Sequence, residues 1–434
     1  MNAHLPANIM QFGARRPSLG LKLRAIIGSN RFTLAGAFAF AILIPELLHP
    51  LFARSYVWAR AVTQTEPGLY GSIAALLAAH LSLRKIGVLP LVNDKTLVLL
   101  TFTVIYAFAT AFPTLSLVSY GRYHFATSYV AGTTWYFLLA VLRGRHNRPR
   151  LAMVGAAGLD PDLMKCNIEW VPLFEPRIPP DVLGVVYDSA EEIDPAWERM
   201  FARATLRNVP VYDVADLREM VLGRLRLRSR PELVFGKLLP SQPYLRIKRV
   251  IDTVVVLPAL VLALPVIGVL ALLIRHESPG PAFYVQRRVG YQGRVFDCYK
   301  LRSMRCDLPG PAFTGEHDPR ITRIGGFIRK WRLDELPQLI NVLKGEMSWI
   351  GPRPEAVSLS RDYAREIPFY AYRHAVLPGI SGWAAVHQGN VALREAVTRK
   401  LEYDFYYIKN FSVWLDLLIV LMTVRTVVTG FGSR

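Results

Sequence analysis

Before residue 150 the chain carries four apolar runs, at residues 32–52, 67–83, 97–118 and 125–142. Each is about 17–22 residues long, close to what ~30 Å of hydrocarbon requires at ~1.5 Å per residue. No other feature limits the fold as strongly, because backbone in lipid must satisfy its own hydrogen bonds, as a helix does. The run at 97–118 is uniform. The first contains Pro45, Glu46 and His49, which puts its outer end at the headgroups, and the second is short and contains His80. Buried helices of a water-soluble protein are the alternative, and the charge pattern opposes it. A cleavable signal peptide is excluded by the late start of the first run and by the lack of a small-residue cleavage site after it.

The flanking charges set an orientation. Arg15, Arg16, Lys22, Arg24 and Arg31 precede the first run, Arg84, Lys85 and Lys95 separate the second and third, and Arg143, Arg145, Arg148 and Arg150 follow the fourth. The remaining two loops are poorer, with Arg54 and Arg60 in one and Arg122 in the other. The positive-inside rule then puts the N-terminus and everything beyond residue 143 in the cytoplasm. Trp58, Tyr120 and Tyr123 fit an interfacial aromatic belt. A net charge of +19 on a chain that is 52% hydrophobic would by itself also suit a nucleic-acid binder. That class is excluded because no basic run is interleaved with aromatics and no DNA-binding motif occurs. Cys166, Cys298 and Cys306 are odd in number and not at metal-ligand spacing, which excludes a disulfide framework.

Residues 151–235 change character. Short buried strands are expected at 151–155, 182–187 and 209–211, with a helix over 213–222. The alternation suggests a small Rossmann-like unit. Its Gly155-Ala-Ala-Gly158 turn is a weak phosphate-binding candidate, since the full glycine fingerprint is absent. Arg224, Arg226, Arg228 and Arg230 follow as a basic linker facing headgroups.

The run 254–274 is long enough to span, yet Pro258 and Pro265 interrupt it and both flanks are basic. A crossing would put everything after 275 outside, against the charge rule. The expectation is a re-entrant helix that breaks at Pro265 and returns to the same side. The final run, 413–428, carries Asp416 and Arg425 and is expected to lie in the interface.

The chemistry gathers between residues 284 and 405. Asp334 stands just ahead of an apolar-periodic stretch, with Pro337 tolerated in its first turn, so adjacent carboxylates open a helix. Free N–H groups there also attract phosphate. Arg353 is held between two prolines, and a stiffly mounted guanidinium suits bidentate phosphate contact. Lys300 and Arg302 add positive charge. Carboxylates beside cations suit a metal-assisted reaction at a diphosphate. A plainer reading makes Asp334 a helix cap and the arginines membrane-surface charge, and spacing alone does not separate the two.

About 185 residues, from Lys248-Arg249-Val-Ile-Asp252 to the C-terminus, carry an ordered set of specific motifs. They are Ser278-Pro-Gly-Pro281, Gln286 with Arg288 and Gly290, Tyr299-Lys-Leu-Arg-Ser-Met304 and Asp318-Pro-Arg-Ile-Thr322. Leu333-Asp-Glu-Leu-Pro-Gln338, Asn341-Val-Leu-Lys-Gly-Glu-Met-Ser348 and Gly351-Pro-Arg-Pro354 follow. Pro378-Gly-Ile-Ser-Gly-Trp383 and Leu401-Glu-Tyr-Asp-Phe-Tyr-Tyr407 complete the set. The region resembles the catalytic domain of bacterial sugar transferases, the monotopic polyprenyl-phosphate phosphoglycosyl transferases. The preceding helices and α/β segment resemble, less specifically, the larger members.

The resemblance implies transfer of a sugar 1-phosphate from a UDP-sugar, UDP-glucose or UDP-galactose, to undecaprenyl phosphate with release of UMP. This is the first membrane step of exopolysaccharide or O-antigen-type glycan assembly. Asp334 would attack the sugar-bearing phosphate and form an aspartyl phospho-sugar, and Glu335 would support Mg²⁺ or orient the pair, so that Asp334 and Glu335 also form the metal site. Arg353 would contact phosphate, and Lys300, Arg302, Gln286, Arg288 and Asp404 would complete the substrate-binding set. Pro265 falls where the family breaks its membrane helix. Leu377 replaces a basic residue common in the family, a missing cation that bears on donor recognition and phosphate binding, and Ser381 replaces a threonine. The implied architecture is a membrane α-helical bundle (1–150) and an α/β Rossmann-like accessory domain with its basic linker (151–240). An α+β, mostly helical monotopic catalytic domain (241–434) follows, with its re-entrant membrane helix at 248–275. The implied location is the bacterial inner membrane, multi-pass, with both later domains cytoplasmic and in contact with membrane lipids, and the resemblance also suggests a homodimer. The alternative is a catalytically silent scaffold of a polysaccharide assembly complex, which the intact Asp-Glu pair opposes.

Overall fold

The computed structural model describes residues 29–53, 65–86, 94–115, 122–144, 150–155, 161–179, 182–189, 193–225, 240–307, 318–388 and 394–429. The chain forms two compact units, Met1–Gly223 and Arg224–Arg434.

In the first unit each expected apolar run is helical over its described residues. The helices are α1 (Asn30–Phe38), a π-helical turn (Ala39–Leu43), α2 (Ile44–Ala53), α3 (Thr65–Ile86), α4 (Asp94–Leu115) and α5 (Arg122–Gly144). Small and aromatic residues fill the space between them: Ala37, Ala41, Ala79, Phe102, Tyr106 and Tyr136 form one buried cluster. Large apolar side chains such as Leu47, Leu99 and Phe108 point outward. Small residues inside and bulky apolar ones outside is how helices pack when their surroundings are also apolar. The polar blemishes turn inward and find partners. His80 Nδ1 lies 2.6 Å from the Tyr136 hydroxyl and His124 Nε2 2.9 Å from Glu46.

Among the described residues three helices are long and apolar enough to cross a membrane: Asn30–Leu48, Arg122–Leu142 and Gln242–Glu277. Within α4 the side chains are described over Leu97–Ala111, and that stretch is apolar. The run at 67–83, expected as a crossing, is not among them, because glycines, serines and His80 dilute its apolar side chains. Trp58, Tyr120 and most of the charged loop residues lie outside the described residues.

The same unit carries a four-stranded parallel sheet. Its elements are β1 (Arg150–Val154), α6 (Pro161–Met164), β2 (Glu169–Leu173), β3 (Gly184–Tyr187), α7 (Pro195–Leu206), β4 (Val211–Asp213) and α8 (Val214–Leu222). The strand order is β2-β1-β3-β4. Side chains alternate across a strand, so Leu151 meets Leu217 and Val221 on one face while Ala152 meets Met200 and Ala204 on the other. Asp213 caps α8 by accepting from the Ala215 amide at 2.6 Å. Three strands and α8 follow the sequence expectation within a few residues. The unexpected β2 includes Pro172, tolerated because β2 is an edge strand. Gly155 ends β1 with φ 74°, and the rest of the Gly155–Gly158 turn lies outside the described residues.

In the second unit Arg224 corrects the linker expectation. It is 5% exposed, pairs with Glu402 at 3.7 Å and lies over the Tyr403 ring. Arg226, Arg228 and Arg230 lie outside the described residues.

Helix α9 (Gln242–Glu277) is 36 residues long and contains both Pro258 and Pro265. The expected break at Pro265 is therefore absent from the backbone, which stays helical on both sides. A proline deletes one donor and displaces one carbonyl, and here both prolines lie on the exposed face with apolar helix formers around them. Asp252, Val256, Ala263, Ile267, Leu270 and Ile274 form a single buried stripe. The opposite face exposes Val254, Leu257, Val261, Leu262 and Val269.

The remaining elements pack on that stripe. β5 (Phe283–Val289) and β6 (Val295–Leu301) form an antiparallel hairpin. Next come α10 (Arg323–Lys330), a 3₁₀ turn (Leu333–Glu335), α11 (Gln338–Lys344), β7 (Ser348–Ile350) and α12 (Val357–Glu366). A second 3₁₀ segment (Tyr370–Ala375) leads to β8 (Gly379–Ser381), which runs parallel to β7, and then α13 (Trp383–Gln388), α14 (Arg394–Lys409) and α15 (Val413–Thr429). Phe296, Cys298, Leu301, Ile328, Leu339, Val342 and Met347 join the α9 stripe in one core. Both ends of α9 are tied to this body. Arg249 Nη1 donates to Val342 O at 3.1 Å, and the Ile324 amide donates to Glu277 at 3.1 Å.

Helix α15 was expected at the membrane interface. Its Asp416 instead lies inside the unit, accepting from Lys248 Nζ (2.5 Å), Tyr244 (2.6 Å) and Tyr407 (2.7 Å). Leu415, Leu418 and Ile419 are buried beside it. The acid that looked like the polar face of a surface helix is a buried anchor for α9.

Candidate active site

Asp334 and Glu335 occupy the 3₁₀ turn one step ahead of α11, not the first turn of the helix itself. The turn is entered from Arg332, whose φ of 54° is left-handed; such a conformation costs on the order of 1 kcal/mol in a non-glycine residue. The turn aims the two carboxylates differently. Glu335 is buried, accepting from Arg353 Nη1 at 3.2 Å and Nη2 at 2.5 Å, with Lys300 Nζ at 3.4 Å. Asp334 is half-buried and has no hydrogen bond or ion pair among the described residues.

The electrostatics follow from this arrangement. Burial raises the Asp334 pKa, and the Glu335 charge raises it further, against Lys300 and Arg353. Burial also opposes charge on Glu335, but Arg353 and Lys300 outweigh it and hold that carboxyl below the usual range. Burial lowers the Lys300 pKa, with Glu335 opposing.

Lys300 is delivered by the hairpin. It pairs across from Tyr284 and shares a face with Phe296 and Cys298, whose burial fixes the strand's orientation. Asn341 fixes the distance from that strand to α11. It accepts from the Tyr299 amide at 3.2 Å and donates to Asp297 O at 2.7 Å.

Arg353 is delivered by the loop after β7. Gly351, Gly379 and Gly382 let two backbones pass too closely for side chains, since a Cβ on any of them would meet backbone of the opposite segment. This explains why the Gly351-Pro-Arg-Pro354 and Pro378–Trp383 motifs occur together. Arg373 Nη2 donates to Arg353 O at 2.8 Å and Arg288 Nη1 to Pro354 O at 2.7 Å. Gln286 Oε1 accepts from Arg288 Nε and Nη2. Asp404, 1% exposed, accepts from Arg373 at 2.9 Å, and Glu355 with Lys400 completes the buried network.

Of the residues expected at the site, Asp334, Glu335, Lys300 and Arg353 converge. Gln286, Arg288 and Asp404 buttress the Arg353 loop from behind. Arg302 is elsewhere, which corrects its assignment to substrate. Its guanidinium donates to Ile274 O (3.3 Å), Ser278 O (2.7 Å) and Pro279 O (2.7 Å), closing the carbonyl end of α9. Arg373 was missed. It sits in a short 3₁₀ segment without periodicity, so only its partners reveal its importance.

Among the described residues no three His, Cys, Asp or Glu side chains gather as a metal cage. Glu335 is given to two cations, so the expected carboxylate pair is not a ready ligand pair. Asp334 alone offers an open carboxylate. That donor set fits Mg²⁺ held chiefly by substrate phosphates, which needs only one or two carboxylates from the protein.

Comparison with known proteins shows the family of the chain. The family "Bacterial sugar transferase" matches residues 243–430. The UDP-N-acetylgalactosamine-undecaprenyl-phosphate N-acetylgalactosaminephosphotransferase of Aeromonas hydrophila is 39% identical over 374 residues, 84% of this chain and 88% of the relative. The UDP-glucose:undecaprenyl-phosphate glucose-1-phosphate transferase of Escherichia coli (strain K12) is 41% identical over 182 residues, 41% of this chain and 39% of the relative. The protein of that name from Caulobacter vibrioides is 42% identical over 186 residues, 42% of this chain and 70% of the relative. With an open and a clamped carboxylate at its centre and a relative matched along most of both chains, this chain belongs to the bacterial sugar transferases.

Proposed function

We propose that the protein transfers a sugar 1-phosphate from a UDP-sugar to undecaprenyl phosphate at the cytoplasmic face of the bacterial inner membrane, releasing UMP. The observation that carries this reading is the asymmetry of the Asp334–Glu335 pair. One carboxylate is open and the other is held by Arg353 and Lys300. An oxygen of Asp334 attacks the sugar-bearing phosphorus, and the bond to the UMP oxygen breaks, leaving an aspartyl phospho-sugar. The acceptor phosphate then attacks the same phosphorus and frees Asp334. Splitting one displacement into two is nucleophilic catalysis by a carboxylate. Lys300 and Arg353 neutralise charge accumulating on the phosphoryl oxygens while Glu335 holds them in place. Mg²⁺, when bound, neutralises charge on the diphosphate.

The membrane geometry belongs to the same proposal. Both ends of α9 are tied to one body and one stripe packs along it, which favours a helix that bends at its prolines and stays on one side. The parallel sheet of residues 150–213 is taken as a degenerate Rossmann-like layer. The sugar is chosen from a short set. Relatives are named for UDP-N-acetylgalactosamine and UDP-glucose, which join UDP-galactose as candidates. The test is UMP release across these donors by membranes containing the protein with undecaprenyl phosphate. Asp334→Asn is expected to lower turnover at least about a thousandfold, and normal turnover in that variant overturns the covalent route.

A further inference from the structure

A groove of about 560 Å³ lies between the C-terminal half of α9 and the turn into β5. Gly268, Ala271, Leu272 and Arg275 form one wall, and Gly280 and Phe283 the other. Its size is within the range of small-ligand clefts, roughly 300–1,000 Å³.

Three observations indicate what fills it. The first is Gly268. Glycine inside a helix costs about 1 kcal/mol relative to alanine, and tight packing would justify it. No packing does so here, because a Cβ at Gly268 would meet nothing within 4 Å. The glycine leaves open space that the protein does not use. The second is polarity. Leu272 and Phe283 are 71% and 46% exposed on its open side, alongside Val269 on the outer face of α9. Arg275 is the one charged residue lining the groove, and it forms no ion pair among the described residues. An apolar trough with one cation suits an anionic amphiphile and offers few partners to a nucleotide sugar. The third is position. Phe283 pairs with Leu301 across the hairpin and Tyr284 pairs with Lys300, whose Nζ is 3.4 Å from Glu335. The groove therefore borders, on the opposite face of the hairpin, the strand pair that delivers Lys300 to Glu335.

We propose that this groove holds the first isoprene units of the polyprenyl phosphate acceptor, with Arg275 drawing the anionic head to its rim. The inference rests on the reaction proposed above and adds an acceptor subsite built around an absent side chain. Gly268→Phe projects a ring into the space that a Cβ at this position enters without contact, and Gly268→Ala, which adds one methyl group, is its control.

The experiment uses the full-length protein in nanodiscs. Two rates are read for each variant: exchange of labelled UMP into UDP-sugar, which needs no acceptor, and transfer to undecaprenyl phosphate. Gly268→Phe is expected to raise the acceptor KM about tenfold or more, about 1.4 kcal/mol, with UMP exchange and the UDP-sugar KM unchanged. Gly268→Ala should match the parent protein in both rates, and Arg275→Gln should raise only the acceptor KM. An unchanged acceptor KM in Gly268→Phe, as expected if bulk lipid fills the groove, overturns the inference. So does an equal loss of exchange and transfer. Absence of UMP exchange in the parent protein would instead refute the covalent reaction, independently of the variants.

Discussion

Glu335 commits its carboxylate to Arg353 and Lys300, and that commitment predicts a pH signature for its neighbour. Asp334 must be ionised to attack, and its pKa is raised first by burial and then by the Glu335 charge. Activity should fall as pH drops through this raised value, earlier than for an exposed aspartate. Glu335→Gln removes the neighbouring charge and should move the acid limb of kcat/KM to lower pH, even as kcat falls because Arg353 and Lys300 lose their anchor. A profile of UMP release between about pH 4 and 8 reads both effects, and a limb that stays in place would remove Glu335 as the source of the shift. These residues stood out as candidates, but spacing alone also allowed Asp334 to be a helix cap, and it was the family resemblance that singled them out. Arg302 and Asp404 were misread because a charge in a sequence does not announce its partner. Theirs are backbone carbonyls near residue 278 and a guanidinium at 373, brought in only by the tertiary fold. Arg373 carried no local signal at all.

Among the elements, α9 has its terminal carbonyls served by the Arg302 side chain. Arg302 is 5% exposed and serves three backbone oxygens there. Arg302→Met would leave the Ser278 and Pro279 carbonyls without this donor, while Ile274 O keeps the Ser278 amide, and should destabilise the second unit by about 2–4 kcal/mol. Denaturant titration of the purified protein should show this, with the UDP-sugar KM of the surviving folded fraction unchanged. A shift in that KM without loss of stability would return Arg302 to the substrate. Strands β1 and β3 were legible from compact apolar runs, and α8 from its aspartate cap. β2 was hidden by Pro172 and Glu169, which only an edge position tolerates. The break at Pro265 was over-read, since proline weakens a helix by one hydrogen bond without obliging it to end. Asp416 misled for a related reason. A lone acid on an apolar helix looks like a solvated face, until Lys248, some 168 residues earlier, closes on it.

Across the whole molecule, the surplus of +19 has, on the function proposed above, two uses: orientation in the membrane and phosphate binding. Sidedness can be tested without any substitution, because Cys166 and Cys298 are buried and Cys306 is exposed. A membrane-impermeant maleimide should leave Cys306 unlabelled in intact spheroplasts and modify it after permeabilisation. Labelling of intact spheroplasts would instead make α9 a true crossing. The two-faced character of α9 has a further, kinetic consequence. With one stripe bound to the catalytic body and the opposite face apolar over residues 250–273, the one-sided placement proposed above holds the enzyme to a surface, where it meets a lipid acceptor only by lateral diffusion. Its second half-reaction is then set by how many acceptor molecules share each unit of membrane area, not by how many share each litre. Diluting the bilayer with inert phospholipid at constant total undecaprenyl phosphate should slow transfer in proportion to the falling mole fraction and leave UMP exchange unchanged.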